Sequence, residues 1–115
     1  MMVILAVVQI AACASTPAPD GMFDAAQAAI RRAESMGAVE HAPLELRFAR
    51  EKLAGASLAL EERDNARAQR LLEEVQINSE LAIAKAAAAD AREASRKQEA
   101  SNRLLKSELD MGDGQ

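Results

Sequence analysis

Apolar side chains recur at steps of three and four over three stretches of the chain, and a further apolar run opens it without periodicity. Phe23, Ala26, Ile30 and Ala33 share one helical face. That spacing predicts a helix over about residues 21–36, with Asp20 as its N-cap and Gly37 as the glycine that stops it. Leu46, Ala49, Leu53, Ala56 and Leu60 keep the same spacing behind Pro43, which suits the first turn of a second helix. Glu45 lies near the positive end of that helix dipole, and Arg47 and Glu51 form an i,i+4 pair on its outer side.

No Gly or Pro interrupts the chain between Ala56 and Met111, so one very long helix would satisfy composition. The stripe argues otherwise. Continued in register past Leu60, it meets Arg63, Arg67, Arg70 and Glu74, all charged. Apolar positions resume out of phase at Ala68, Leu72 and Val75, and continue through Ser79, Ala82, Ala86 and Ala89. A turn near Arg63-Asp64-Asn65, capped by Asp64 or Asn65, resets the phase. The expected fold is all-α: an αα-hairpin with a preceding helix, forming an antiparallel three-helix bundle over residues 21–90 with stripes roughly 20–30 Å long.

After Ala89 the continuing positions are Glu93, Arg96, Ala100 and Arg103, and the core face is lost. Residues 91–115 are expected to extend the third helix beyond the bundle, exposed, with a Glu99–Arg103 pair and a disordered tail from Met111. Leu104, Leu105 and Leu109 form a short apolar patch there, a candidate contact for a partner or a second copy, set against the plainer reading of scattered surface leucines. Large side chains alternate with alanine throughout, so helices can approach closely while burying little area. At ~25 cal/mol per Å² such a core is marginal alone, and association would add to its stability.

From Met1 to Ala14 the only polar side chain is Gln9. The run is too short for a ~30 Å bilayer core, which takes about 20 residues, and it matches the apolar region of a secretory signal. It closes on Ile10-Ala11-Ala12-Cys13, which contains the only cysteine. Ala12-Cys13-Ala14 has the form of an ordinary cleavage site. The four residues also resemble the lipobox of bacterial lipoproteins. That resemblance implies a signal peptide over 1–12, cleavage between Ala12 and Cys13, and a diacylglycerol thioether with an acylated (palmitate-type) amine on Cys13. Residues 13–20 are then the lipidated Cys and a Pro-containing tether reaching roughly 20–25 Å. Ala14, rather than Asp, after the cysteine implies delivery to the outer membrane, on its periplasmic face.

The formal net charge of −4, with no basic cluster, gives no electrostatic footprint for nucleic acid. Trp and Tyr are absent, and Phe23 and Phe48 are the only aromatic side chains, so an aromatic-lined pocket for a small-molecule substrate is not expected. His41, beside Glu40 and four residues before Glu45, is a single candidate ligand where a metal site wants several converging ones. Glu61, Glu62 and Asp64, like Glu73 and Glu74, read as solvated acidic faces rather than general acids. No cofactor, no metal and no catalytic residue is expected.

Ala28-Ala29-Ile30-Arg31-Arg32-Ala33-Glu34 followed by Gly37-Ala38, then Ala42-Pro43-Leu44-Glu45-Leu46, form one part of a second resemblance. Ala49-Arg50-Glu51-Lys52-Leu53 and Leu81-Ala82-Ile83-Ala84-Lys85-Ala86 complete it. Over about residues 24–92 the chain resembles the family known as domain of unknown function 4398, small helical modules usually borne by bacterial lipoproteins. Members usually carry Gly-Asp at the second turn, where this chain has Arg63-Asp64, which implies a differently built turn. The family has no assigned activity. The expected role is a lipid-anchored, non-enzymatic interaction or scaffold module of the cell envelope. The alternative is a peptide- or protein-binding adaptor resembling a tetratricopeptide-type helical hairpin, although such arrays need about three repeats.

Overall fold

The computed structural model describes residues 17–114. Among these residues there are four helices and no strand: α1 Met22–Ser35, α2 Ala38–His41, α3 Pro43–Glu61 and α4 Asn65–Asp113. Cys13 and the apolar run before it lie outside the described residues, as does Gln115.

The helix ends follow from local chemistry, with two departures from expectation. Asp20 does not cap α1. The cap position is Gly21, held at φ 79°, whose carbonyl accepts from the Ala25 N–H at 3.0 Å. The Met22 N–H turns back to the Pro19 carbonyl, and that tight entry needs a left-handed residue which glycine supplies without steric cost. Asp24 supplies the negative charge in the first turn instead. Gly37 closes α1 as expected, at φ 85°, donating to the Glu34 carbonyl. Its own carbonyl then accepts from Glu40 and His41, which starts the single turn α2. Four residues are too few to leave a periodic stripe, so the sequence pattern does not reveal this turn.

Pro43 opens α3 at its first position. At the far end Arg63 adopts φ 59°, the left-handed conformation that glycine takes without steric cost. The Arg63 N–H bonds the Leu60 carbonyl and the Asp64 N–H bonds the Ala59 carbonyl, the pair of bonds that defines a Schellman motif. Asp64 serves both helices, because its side chain also accepts from the Arg67 N–H at 3.0 Å and caps α4. The tail expected to be disordered from Met111 is instead helical through Asp113. One glycine near the end of a long helix costs about 1 kcal/mol, which does not unwind turns already nucleated.

Cross-helix ion pairs set the register of α3 on α4. Arg67 meets Glu62 at 3.2 Å beside the turn, Lys52 meets Glu74 at 2.6 Å, and Lys85 meets Glu45 near the start of α3. Partners move apart in sequence as they leave the turn, so the two helices run antiparallel. Arg50 of α3 reaches Glu34 of α1 at 2.5 Å. The core shared by these helices is small-residue rich. Ten of the fourteen buried apolar residues described are alanine, and Ile30, Leu46, Leu72 and Val75 are the only larger ones. Ala26, Ile30 and Ala33 bury the face of α1, and the stripe of α4 is buried from Ala68 to Ala86. Late in α3 the buried position is Ala59, while Leu53 and Leu60 are only partly covered. From Asp90 to Gly114 every residue is exposed.

Candidate functional site

Cys13 and Ala12, the expected lipidation and cleavage residues, lie outside the described residues, so the geometry begins with the exposed Pro17 and Ala18 of the expected tether. The other candidate is the far part of α4. Leu104, Leu105 and Leu109 are 62%, 54% and 70% exposed, and no other element covers them. Leu105 and Leu109, four apart, share a face, whereas Leu104 points about 100° away from Leu105. Helical propensity and local pairs sustain this segment rather than a core. Glu93 and Lys97 close an ion pair at 2.9 Å, and the Gln98 amide donates to Asn102 at 3.1 Å. The Lys97 hydrogen bond and charge lower the Glu93 pKa, and Glu93 raises that of Lys97 in return. Glu99 and Arg103, at the same spacing, do not close a pair, consistent with the ~0.3–0.5 kcal/mol such exposed contacts contribute.

The sequence reading missed the most enclosed charge. Glu45, 7% exposed, accepts a hydrogen bond from the Lys85 ammonium forty residues away. The Lys85 hydrogen bond, with one from the Glu45 backbone, holds its carboxyl below the ordinary glutamate value against the opposing effect of desolvation. A signal was present: Lys85 is the single charge in the run Leu81–Ala89, and Glu45 is the first acid after Pro43. The pair clamps the first turn of α3 to α4.

His41 ends the helical turn α2 rather than lying in a loop, half-buried, with Nε2 3.7 Å from Asp90 Oδ1. The two acidic patches each lend one carboxylate to a cation, Glu62 to Arg67 and Glu74 to Lys52. Among the described residues no three His, Cys, Asp or Glu side chains converge on a point that could hold a metal ion, and no helix is long and apolar enough to cross a membrane.

The arrangement therefore defines a class: an all-helical module in which a packed portion carries a long, exposed final helix. The family described as a domain of unknown function, DUF4398, matches residues 22–98, and the chain belongs to it. No curated protein and no solved structure matches the chain.

Proposed function

We propose that the protein is a lipid-anchored, non-enzymatic interaction or scaffold module of the cell envelope, held by Cys13 on the periplasmic face of the outer membrane. In this reading residues 1–12 are the signal peptide and 13–20 the lipidated Cys and tether. Residues 21–90 are an antiparallel three-helix bundle, and 91–115 are its exposed extension. The observation that carries it is the cysteine after Ile10-Ala11-Ala12, which closes the apolar run from Met1. An extended helix with no enclosed acid or base along it suits a binding surface better than a reaction centre. The peptide-adaptor alternative has less support, because the faces α1, α3 and α4 would need for a groove are buried against one another.

Intact mass of the full-length product extracted from bacterial membranes, beside a Cys13→Ala variant, tests the anchor. The expected species begins at Cys13 and carries acyl mass that the variant lacks. An unmodified, water-soluble chain would remove the reading.

A further inference from the structure

A second repeat runs along α4 on the side away from the packed helices. It starts at Ile77 and Leu81, 64% and 45% exposed, and its positions alternate four and three residues apart. The same spacing continues through Ala84, Ala88 and Ala91, all exposed. Ser95, Gln98 and Asn102 carry it onward, and Leu105 and Leu109 end it. The buried stripe lies on the opposite face: Ser79, buried, is about 200° round the helix from Ile77. The buried stripe keeps the same spacing from Ala68 to Ala86, so α4 carries two seams of coiled-coil period, one filled by the packed helices and one exposed.

We propose that two copies of the chain pair through this face, as a parallel, in-register coiled coil of α4 over residues 77–109. The proposal deepens the interaction-module reading by naming a second copy as the partner. In-register pairing stacks Ile77 and Leu81 on their twins at one end and Leu105 and Leu109 on theirs at the other, with close alanine layers between. It also sets the Gln98 and Asn102 amides against identical amides, and each amide both donates and accepts. Their existing bond within the helix holds them on the seam. The antiparallel register that matches the same apolar ends, Ile77 against Leu109, sets Asn102 on Ala84 and Gln98 on Ala88, so each amide keeps only its bond to the other within the helix and its remaining donor and acceptor capacity faces alanine.

Charge selects the same arrangement. Glu80 and Lys85 flank the seam on its two sides, five residues apart, which is the spacing that pairs across parallel helices. Lys85 has donors to spare beyond its bond to Glu45. The antiparallel register also has an attractive contact, Lys85 to Glu99, but it brings Glu80 to Glu108 and Arg92 to its own twin. Like charges meet in the parallel form only at the last turn, Glu108 near Asp113. The packed helices of each copy lie on the far side of its α4 and do not obstruct the pairing.

Cysteine cross-linking and sedimentation of the full-length protein in detergent test it, with the wild-type chain as control for Cys13. Ser95→Cys is expected to oxidise rapidly to a covalent dimer, and Ser107→Cys, off the seam, is not. Combined Leu105→Asp and Leu109→Asp should weaken the dimer by about 100-fold or more with helical content unchanged, because both changes bury a charge only in the dimer. A monomer at every concentration overturns the proposal. So does preferential cross-linking of Ala91→Cys to Ser95→Cys, the contact of the antiparallel form. A monomer that still captures another envelope protein overturns the homodimer while leaving the interaction-module reading in place, and the mass measurement reads the anchor separately.

Discussion

Before Asp90, α4 buries one face against α1 and α3; after it, the same unbroken helix buries nothing. Both parts are built from strong helix formers, and both are helical, so helix formation does not separate them. What separates them is where the large apolar residues fall. Leu72 and Val75 sit in phase with the alanines of the core, while Leu105 and Leu109 sit on the far side of the helix from that phase. A leucine's contribution is thus decided by its position on the period rather than by its neighbours in sequence.

The sharpest break of this comparison is one substitution in each part. Leu72→Ala should cost about 3–5 kcal/mol, the range for a fully buried leucine, read as a fall in the urea midpoint. Leu105→Ala, measured in dilute protein, should change stability by less than about 0.5 kcal/mol. Equal effects would abolish the distinction. Ser79 tests the core from another side: its hydroxyl is buried without a hydrogen-bond partner. Ser79→Ala should stabilise the fold by ~1–2 kcal/mol, because it removes an unpaired polar group and improves helix propensity. A destabilised variant would mean that the hydroxyl is satisfied.

A smaller gain is expected at the turn that begins α4. Arg63 holds a left-handed backbone that glycine adopts without a Cβ clash, so Arg63→Gly should raise stability by about 0.5–1 kcal/mol in thermal melts. The last test concerns pH. The Glu45 carboxyl titrates lower in the folded chain than in the unfolded one, so its contribution is present above the ordinary glutamate value of about 4.3 and is lost as pH falls below it. Glu45→Gln should therefore flatten the acid limb of a melting-temperature profile, and an unchanged limb would assign acid sensitivity to other carboxylates.

Much of the packed part was legible in the sequence because it obeys a single rule. Phe23 to Ala33 and Ala68 to Ala86 show the helical period, and the charged run at Arg63, Arg67 and Arg70 announces the phase break. The structure differs where local geometry or length overrules the pattern. Gly21 replaces Asp20 as cap because the entry turn demands a positive φ. Ala59 is buried while Leu60 is only partly covered, at the close of α3. The Glu45–Lys85 clamp joins residues that only the tertiary fold brings together. The outer repeat of α4 is hardest to see, because alanine, serine and amides occupy its middle and do not register as apolar.

The turn at Arg63-Asp64 is the only break between α3 and a helix of 49 residues. Mechanically, α4 is a lever with its short arm embedded in the packed helices and its long arm free. Some 23 residues project past Asp90, about 35 Å at 1.5 Å per residue. A tilt of roughly 10° at the packed end sweeps the tip through ~6 Å, the pitch of one helical turn. A repacking among the alanines around Leu72 that tilted α4 by that much would carry Leu109 sideways by about 5 Å.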